Sequence, residues 1–190
     1  MIDAIEKRVI EKLSQHEQRL KHVYGVAETA VKLAKIYHES EEKAWISGMF
    51  HDIAKYDSLE DQMNKMDLRW IKAYVDFPVI YHAIAAANTL EHEFRIHDQD
   101  ILNAIRYHVW GRKNMSLLEK IIFVADYCEP NRGFHDSEMI YDMAVNNIDQ
   151  AVCYCMKASI DHLLSKGLEP SEEQLEAYQY YQEVTRGESQ

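Results

Sequence analysis

Leu20, Val23, Ala27, Ala30, Val31 and Ala34 recur at three- and four-residue spacing, the mark of one long amphipathic helix over about residues 17–38. Ser40, followed by Glu41 and Glu42, predicts an N-cap and acidic first turn for a second helix running to about residue 53. Pro78 opens a third, which continues through Tyr81, Ile84, Ala85 and Thr89 to Phe94. Asp98 caps a short helix to about residue 107. Ser116 caps another at Leu117–Cys128, beyond a loop over 109–114 that contains Gly111. After a second loop marked by Pro130 and Gly133, one long helix is expected over 137–166, stopped by Gly167 and Pro170. Ser171, with Glu173 and Gln174 behind it, starts a last polar helix rich in tyrosine. No stretch alternates with the period of a strand. The pattern predicts an all-α fold, one helical bundle over residues 1–190. Its core spans about 17–151, with flanking helices at 1–15 and 171–186.

Composition narrows the function. The chain has 190 residues, with 21 Lys and Arg against 32 Asp and Glu, a formal charge of −11. An acidic field of that size argues against nucleic acid as a partner, because phosphate contacts need basic residues in excess. The longest apolar stretches fall well short of the roughly 20 residues that cross a bilayer, and the N-terminal residues mix charges with Ile and Val, so no membrane partner is expected. Three cysteines, Cys128, Cys153 and Cys155, without a framework spacing fit a reducing, cytoplasmic setting.

The chemistry concentrates in a few buried-looking polar residues. His51-Asp52 lies between Gly48-Met49-Phe50 and Ile53-Ala54. A carboxylate in such surroundings is costly to bury unless something cationic offsets it. Asp126 follows Ile121-Ile122-Phe123-Val124-Ala125, a run apolar on every side of a helix, and so wants an arginine, a cap or a metal. His22 shares a helix face with Arg19, His82 sits one turn before the small Ala85 and Ala86, and His108 ends a helix. The candidate ligands are therefore His22, His51, Asp52, His82, His108 and Asp126. Imidazoles mixed with carboxylates, and no thiolate, suit Fe, Mn, Co, Ni or Zn. The remaining histidines, His16, His38, His92, His97, His135 and His162, read as solvated surface groups. Cations recur beside the candidates: Arg19, Lys55, Arg112, Lys113 and Arg132. In an acidic protein, that placement suits an anionic, phosphate-bearing small molecule.

The order His22, His51-Asp52, Asp126 resembles the metal set of the HD-domain phosphohydrolases, and the stretches Arg19-Leu20-Lys21-His22, His51-Asp52-Ile53-Ala54-Lys55 and Ala125-Asp126-Tyr127-Cys128-Glu129-Pro130-Asn131-Arg132 are similar to the YqeK-like branch of symmetrical dinucleoside tetraphosphate hydrolases. The resemblance implies a single HD domain in which His22, His51, Asp52 and Asp126 bind metal. It implies iron, one or two ions, with Mn, Co or Zn as substitutes. Arg19, Lys55, His82, His108 and Arg132 would face phosphates, with His82 and His108 also able to serve a second ion. Asp52, Lys55, His82 and His108 would carry the catalysis. The reaction implied is attack of metal-generated hydroxide on a phosphoanhydride, cleaving diadenosine tetraphosphate into two ADP. A nucleotidase acting on nucleoside monophosphates, a non-catalytic nucleotide sensor and a purely structural helical interaction domain are the competing readings. A homodimer through the tyrosine-rich C-terminal helix stays open. The chain departs from the branch at Val109-Trp110, where threonines are usual, and lacks an arginine near Ile140-Tyr141.

Overall fold

In the computed structural model, which describes residues 1–133 and 136–187, the described chain is helical with no strand. His135 lies outside the described residues. The helices are α1 (Ile2–Leu13), α2 (Glu17–Tyr37), α3 (Glu41–Phe50), α4 (Leu59–Met63), α5 (Leu68–Ala73), α6 (Tyr81–Phe94), α7 (Gln99–Arg106), α8 (Leu117–Cys128), α9 (Ser137–Asn146), α10 (Ile148–Ser165) and α11 (Glu172–Gly187). Two 3₁₀ turns, Pro78–Ile80 and Pro130–Arg132, precede α6 and follow α8.

Helix α8 is the central rod. Ile121 through Ala125 are wholly buried, as the unbroken apolar run predicts, with α2, α3, α7, α9 and α10 packed around them. The capping box at its start has Ser116 accepting from the Glu119 backbone N–H while Glu119 accepts from that of Ser116. A continuous apolar core runs from Ile5 on α1 to Tyr181 on α11. Tyr181 is fully buried, and its hydroxyl accepts a 3.0 Å hydrogen bond from the Met115 backbone N–H. The polar C-terminal helix therefore contributes a core tyrosine to the bundle.

Two expectations from the sequence need correction, and one further stretch folds into helices. The helix that Ser40 caps ends at Phe50, before His51-Asp52, because the backbone tightens there: the N–H of Ile53 and of Lys55 bond three residues back, to Phe50 and Asp52. The long helix expected over 137–166 is two helices, broken at Asn147. That residue is extended (φ −154°, ψ 105°) and its side chain accepts from the Gln150 N–H as the N-cap of α10. Between Asp57 and Phe77, where no element was assigned, α4 and α5 fold with Ser58 and Asp67 at their N-caps. These short helices and Pro78–Ile80 enclose a second apolar cluster. Trp110 inserts there, 5.6 Å from the ring of Phe77 and 6.0 Å from that of Tyr74, with Val109 packed alongside. Val109 and Trp110 thus serve packing.

A close helix approach fixes the position of the chemistry. A Cβ on Gly48 of α3 would sit 2.6 Å from Ala27 Cα on α2, so only glycine lets these helices meet and bring His51-Asp52 against His22. Gly48→Ala is expected to destabilise the fold by about 1–3 kcal/mol, which for a chain of this size lowers Tm by roughly 2–12 °C. Thermal unfolding followed by circular dichroism checks this; an unchanged Tm would show that the α2–α3 spacing is not limiting.

Candidate metal centre

Four histidines converge, three of them turned by one local device. His51 Nδ1 lies 2.7 Å from Gly48 O, His82 Nδ1 2.7 Å from Val79 O, and His108 Nδ1 2.8 Å from Ile105 O, each ring reaching back three residues along its own chain. A carbonyl only accepts, so in each ring Nδ1 carries the hydrogen and the neutral imidazole presents a bare Nε2. His22 Nδ1 does the same toward a buried carboxylate, Glu129 Oε1, at 2.9 Å. These are the outer contacts that orient metal-binding histidines.

The ε-nitrogens meet at Asp52. On one side, Asp52 Oδ2 lies 3.6 Å from His51 Nε2 and 3.9 Å from His22 Nε2, and Asp126 Oδ1 lies 3.0 Å from His22 Nε2 and 3.7 Å from His51 Nε2. On the other, Asp52 Oδ1 lies 3.1 Å from His82 Nε2 and 3.5 Å from His108 Nε2, which are 3.4 Å from each other. All six side chains are buried. His22 Nε2, His51 Nε2 and Asp52 Oδ1 have no aligned hydrogen-bond partner despite these short separations. Lone pairs therefore face one another at contact distance in a buried site, an arrangement that is costly unless a cation lies among them. The donor set fits a metal ion: His22, His51 and Asp52 form one group with ligand atoms mutually within 4.8 Å, and Asp52, His82 and His108 form another. Asp52 belongs to both.

Electrostatics agree. Burial pushes the His51 imidazolium down to about 3, so the ring is neutral near pH 7. Burial also lowers His82, against the pull of Asp52. For Asp52, burial alone would raise the pKa, but His51, His108, His82 and Lys55 outweigh it and hold the carboxyl well below the usual range. Burial of Asp126 is likewise outweighed, by Arg132 and His22, and that carboxyl also stays ionised. His22 runs the other way: despite burial, Asp126, Glu129 and Asp52 raise its pKa, so a proton competes with a metal at this nitrogen.

The cations stand where the sequence puts them beside the ligands. Arg19 donates to Asp52 Oδ2 at 2.6 Å. Lys55 Nζ is 3.2 Å from His82 Nε2 and 3.9 Å from Asp52 Oδ1. Arg132 donates to the Asp126 carboxylate and, at 2.6 Å, to its backbone carbonyl. Arg112 and Lys113 do not join them; they pair with Glu119 and Glu176. His16, expected to be a solvated surface group, is half-buried and stacked on Tyr56 at 3.8 Å, beside Arg19, while His38, His92, His97 and His162 are exposed.

Glu129 and Gly25 escape sequence reasoning as site residues. Glu129 is fully buried and bridges His22 Nδ1 to the Asn131 backbone N–H, which donates to Oε2 at 2.7 Å. A Cβ on Gly25 would stand 2.1 Å from Glu129 Oε2, so the glycine opens the slot that the carboxylate fills. A glycine within α2, one turn after a candidate ligand, was the available signal.

Comparison with known proteins matches this arrangement. Residues 19–131 fit the HD-domain family model. The chain is 40% identical over 154 residues to the symmetrical bis(5'-nucleosyl)-tetraphosphatase of Halalkalibacterium halodurans, an alignment covering 79% of this chain and 81% of that one. It is 36% identical over 171 residues, 87% of each chain, to the protein of the same name from Staphylococcus aureus. A crystal structure from Clostridium acetobutylicum, described as a predicted HD superfamily hydrolase involved in NAD metabolism, superposes with a TM-score of 0.86 at 34% identity over 98% of both chains. With its His-Asp pair buried against a helix-borne histidine and a second aspartate, and with these matches, the chain belongs to the HD-domain family.

Proposed function

We propose that this chain, acting as one HD domain, is a metal-dependent phosphohydrolase that cleaves dinucleoside tetraphosphates symmetrically, releasing two nucleoside diphosphates. The observation that carries the reading is the buried ring of bare ε-nitrogens and ionised carboxylates around Asp52, edged by three cations. The names of the relatives supply the substrate class. His22, His51, Asp52 and Asp126 hold one ion, and the meeting of His82 and His108 at the second Asp52 oxygen favours a second, with iron as the proposed metal and Mn, Co or Zn as substitutes.

A bound ion supplies Lewis acidity, lowering the pKa of water and polarising a phosphoryl oxygen. The chain's own residues do the rest. Arg19, Lys55 and Arg132 hold the non-bridging oxygens of the polyphosphate, offsetting charge that the acidic protein otherwise repels. Asp52 takes the proton of the attacking water; Arg19, which donates to Oδ2 at 2.6 Å, holds the carboxylate in place, and His82 and His108 serve the second ion at Oδ1. The leaving nucleoside diphosphate needs no dedicated acid. Attack at an inner phosphorus yields equal halves.

Product analysis tests the reaction: diadenosine tetraphosphate should give ADP alone, whereas ATP plus AMP would contradict symmetrical cleavage. His51→Ala and Asp126→Ala should each lose metal on elemental analysis, together with at least about a hundredfold of activity; full metal in either would remove that residue from the ligand set. Glu129→Ala should weaken metal affinity by about 10–100-fold while the fold persists, the usual effect of losing a carboxylate behind a liganding histidine. Unchanged affinity would reduce Glu129 to packing. Lys55→Ala should keep its metal and lose roughly 10–100-fold in kcat/KM, the value of a hydrogen bond to a charged group; loss of metal instead would make Lys55 a support of the centre.

A further inference from the structure

Asp57 is a carboxylate that neither the metal centre nor the phosphate contacts use, yet its side chain is only 5% exposed. It closes the tightened turn that starts at Phe50 and carries His51, Asp52, Lys55 and Tyr56, with its own N–H bonded to Ala54 O at 3.1 Å. Two ammonium groups meet on it: Lys12, from the last turn of α1, and Lys65, beyond α4, the latter at 2.7 Å. Burial alone would raise the Asp57 pKa, but the bonds from these lysines outweigh it and keep the carboxyl below its usual range. Charge-assisted bonds from two separate segments thus tie both of them to the turn. The turn is also held by its backbone. Gln62 of α4, itself buried, donates from Nε2 to Ala54 O at 3.1 Å and to Asp57 O at 3.0 Å.

These links close a circuit through the metal centre. Asn88 on α6 donates to Lys65 O at 2.8 Å, and α6 also carries His82. His82 Nε2 is 3.2 Å from Lys55 Nζ, and Lys55 leads back along the chain through Tyr56 to Asp57. The Asp57–Lys65–Asn88 links therefore set the distance between the turn that bears Lys55 and the helix that bears His82. Lys55 needs such a setting. Its ammonium sits at the end of a flexible aliphatic stem, and its side chain is 31% exposed, so packing alone does not fix it.

Resting on the proposed role of Lys55 at the phosphates, we propose that Asp57 is a positioning residue: with Lys12 and Lys65, it holds the turn at the setting from which Lys55 reaches a phosphate beside Asp52 and His82. Asp57 contributes to phosphate binding only through Lys55. Its effect therefore disappears once the Lys55 ammonium is removed, which a group that merely supports the fold would not show.

Calorimetric titration of the metal-loaded protein with inorganic pyrophosphate, over a double-mutant cycle of Asp57 and Lys55, separates the two roles. Lys55→Ala should weaken pyrophosphate binding about 10–100-fold. Asp57→Asn, which keeps the shape and drops the charge, should weaken it at least about threefold with full metal on elemental analysis. In the Lys55→Ala background, Asp57→Asn should cost less than about twofold. Lys65→Met should repeat this pattern, and Lys65→Arg, which keeps a donor, should preserve wild-type affinity; this pair decides the matter if Asp57→Asn does not fold. An equal loss in both backgrounds overturns the proposal, as does unchanged affinity in Lys55→Ala or in Asp57→Asn, or loss of metal from Asp57→Asn. None of these readouts needs turnover. A non-additive cycle in a protein that fails to cleave diadenosine tetraphosphate keeps the positioning role and overturns the reaction; an additive cycle in a protein that cleaves it into ADP does the reverse.

Discussion

Each of four buried imidazoles gives its δ-hydrogen to an oxygen behind it, and the ε-nitrogens freed in this way gather around one ionised aspartate. Acceptors held face to face inside a protein repel unless positive charge sits among them, and everything else at the centre answers that constraint. Arg19 and Lys55 lean on Asp52, Arg132 closes on Asp126, and the remaining space suits a metal ion. The same cations give an acidic molecule a local place for phosphate.

Close backbone approach makes the gathering geometrically feasible. Gly48 lets α3 press against α2, which sets the His-Asp pair beside His22, and Gly25 leaves room for the carboxylate that turns the His22 ring. The turn after Phe50 matters as much. His51 still follows α3 in helical conformation, its N–H bonded to Ser47 O. The backbone then tightens, with the N–H of Ile53 and of Lys55 bonding three residues back, and the His51 and Asp52 side chains enter the centre there. Asp126 is held differently, on the most buried helix of the molecule, so its position follows from the packing of α8.

Much of this was legible in the chain. Helical periodicity predicted the all-α fold, and the starts of α3, α7, α8 and α11 follow side-chain caps or capping boxes visible as Ser40, Asp98, Ser116 and Ser171. The six candidate ligands meet in space, and an aspartate after five apolar residues was the clearest sign of them. The break at Asn147 was missed because apolar spacing continues through it, while the side-chain cap that starts α10 depends on one asparagine. Short helices α4 and α5 carry too few turns for a period to show. Glu129 was hidden for another reason: its role arises from contacts across the fold, 107 residues from His22. Val109 and Trp110 show the reverse, an oddity in sequence that tertiary packing explains.

Anomalous diffraction at the metal absorption edge, from crystals of the metal-loaded protein, tests the central arrangement most directly. The expected map has a peak about 2.0–2.3 Å from the ε-nitrogens of His22 and His51, with carboxylate oxygens of Asp52 and Asp126 at similar distances. A peak coordinated through a δ-nitrogen, or one whose nearest ligands lie elsewhere in the molecule, would contradict it.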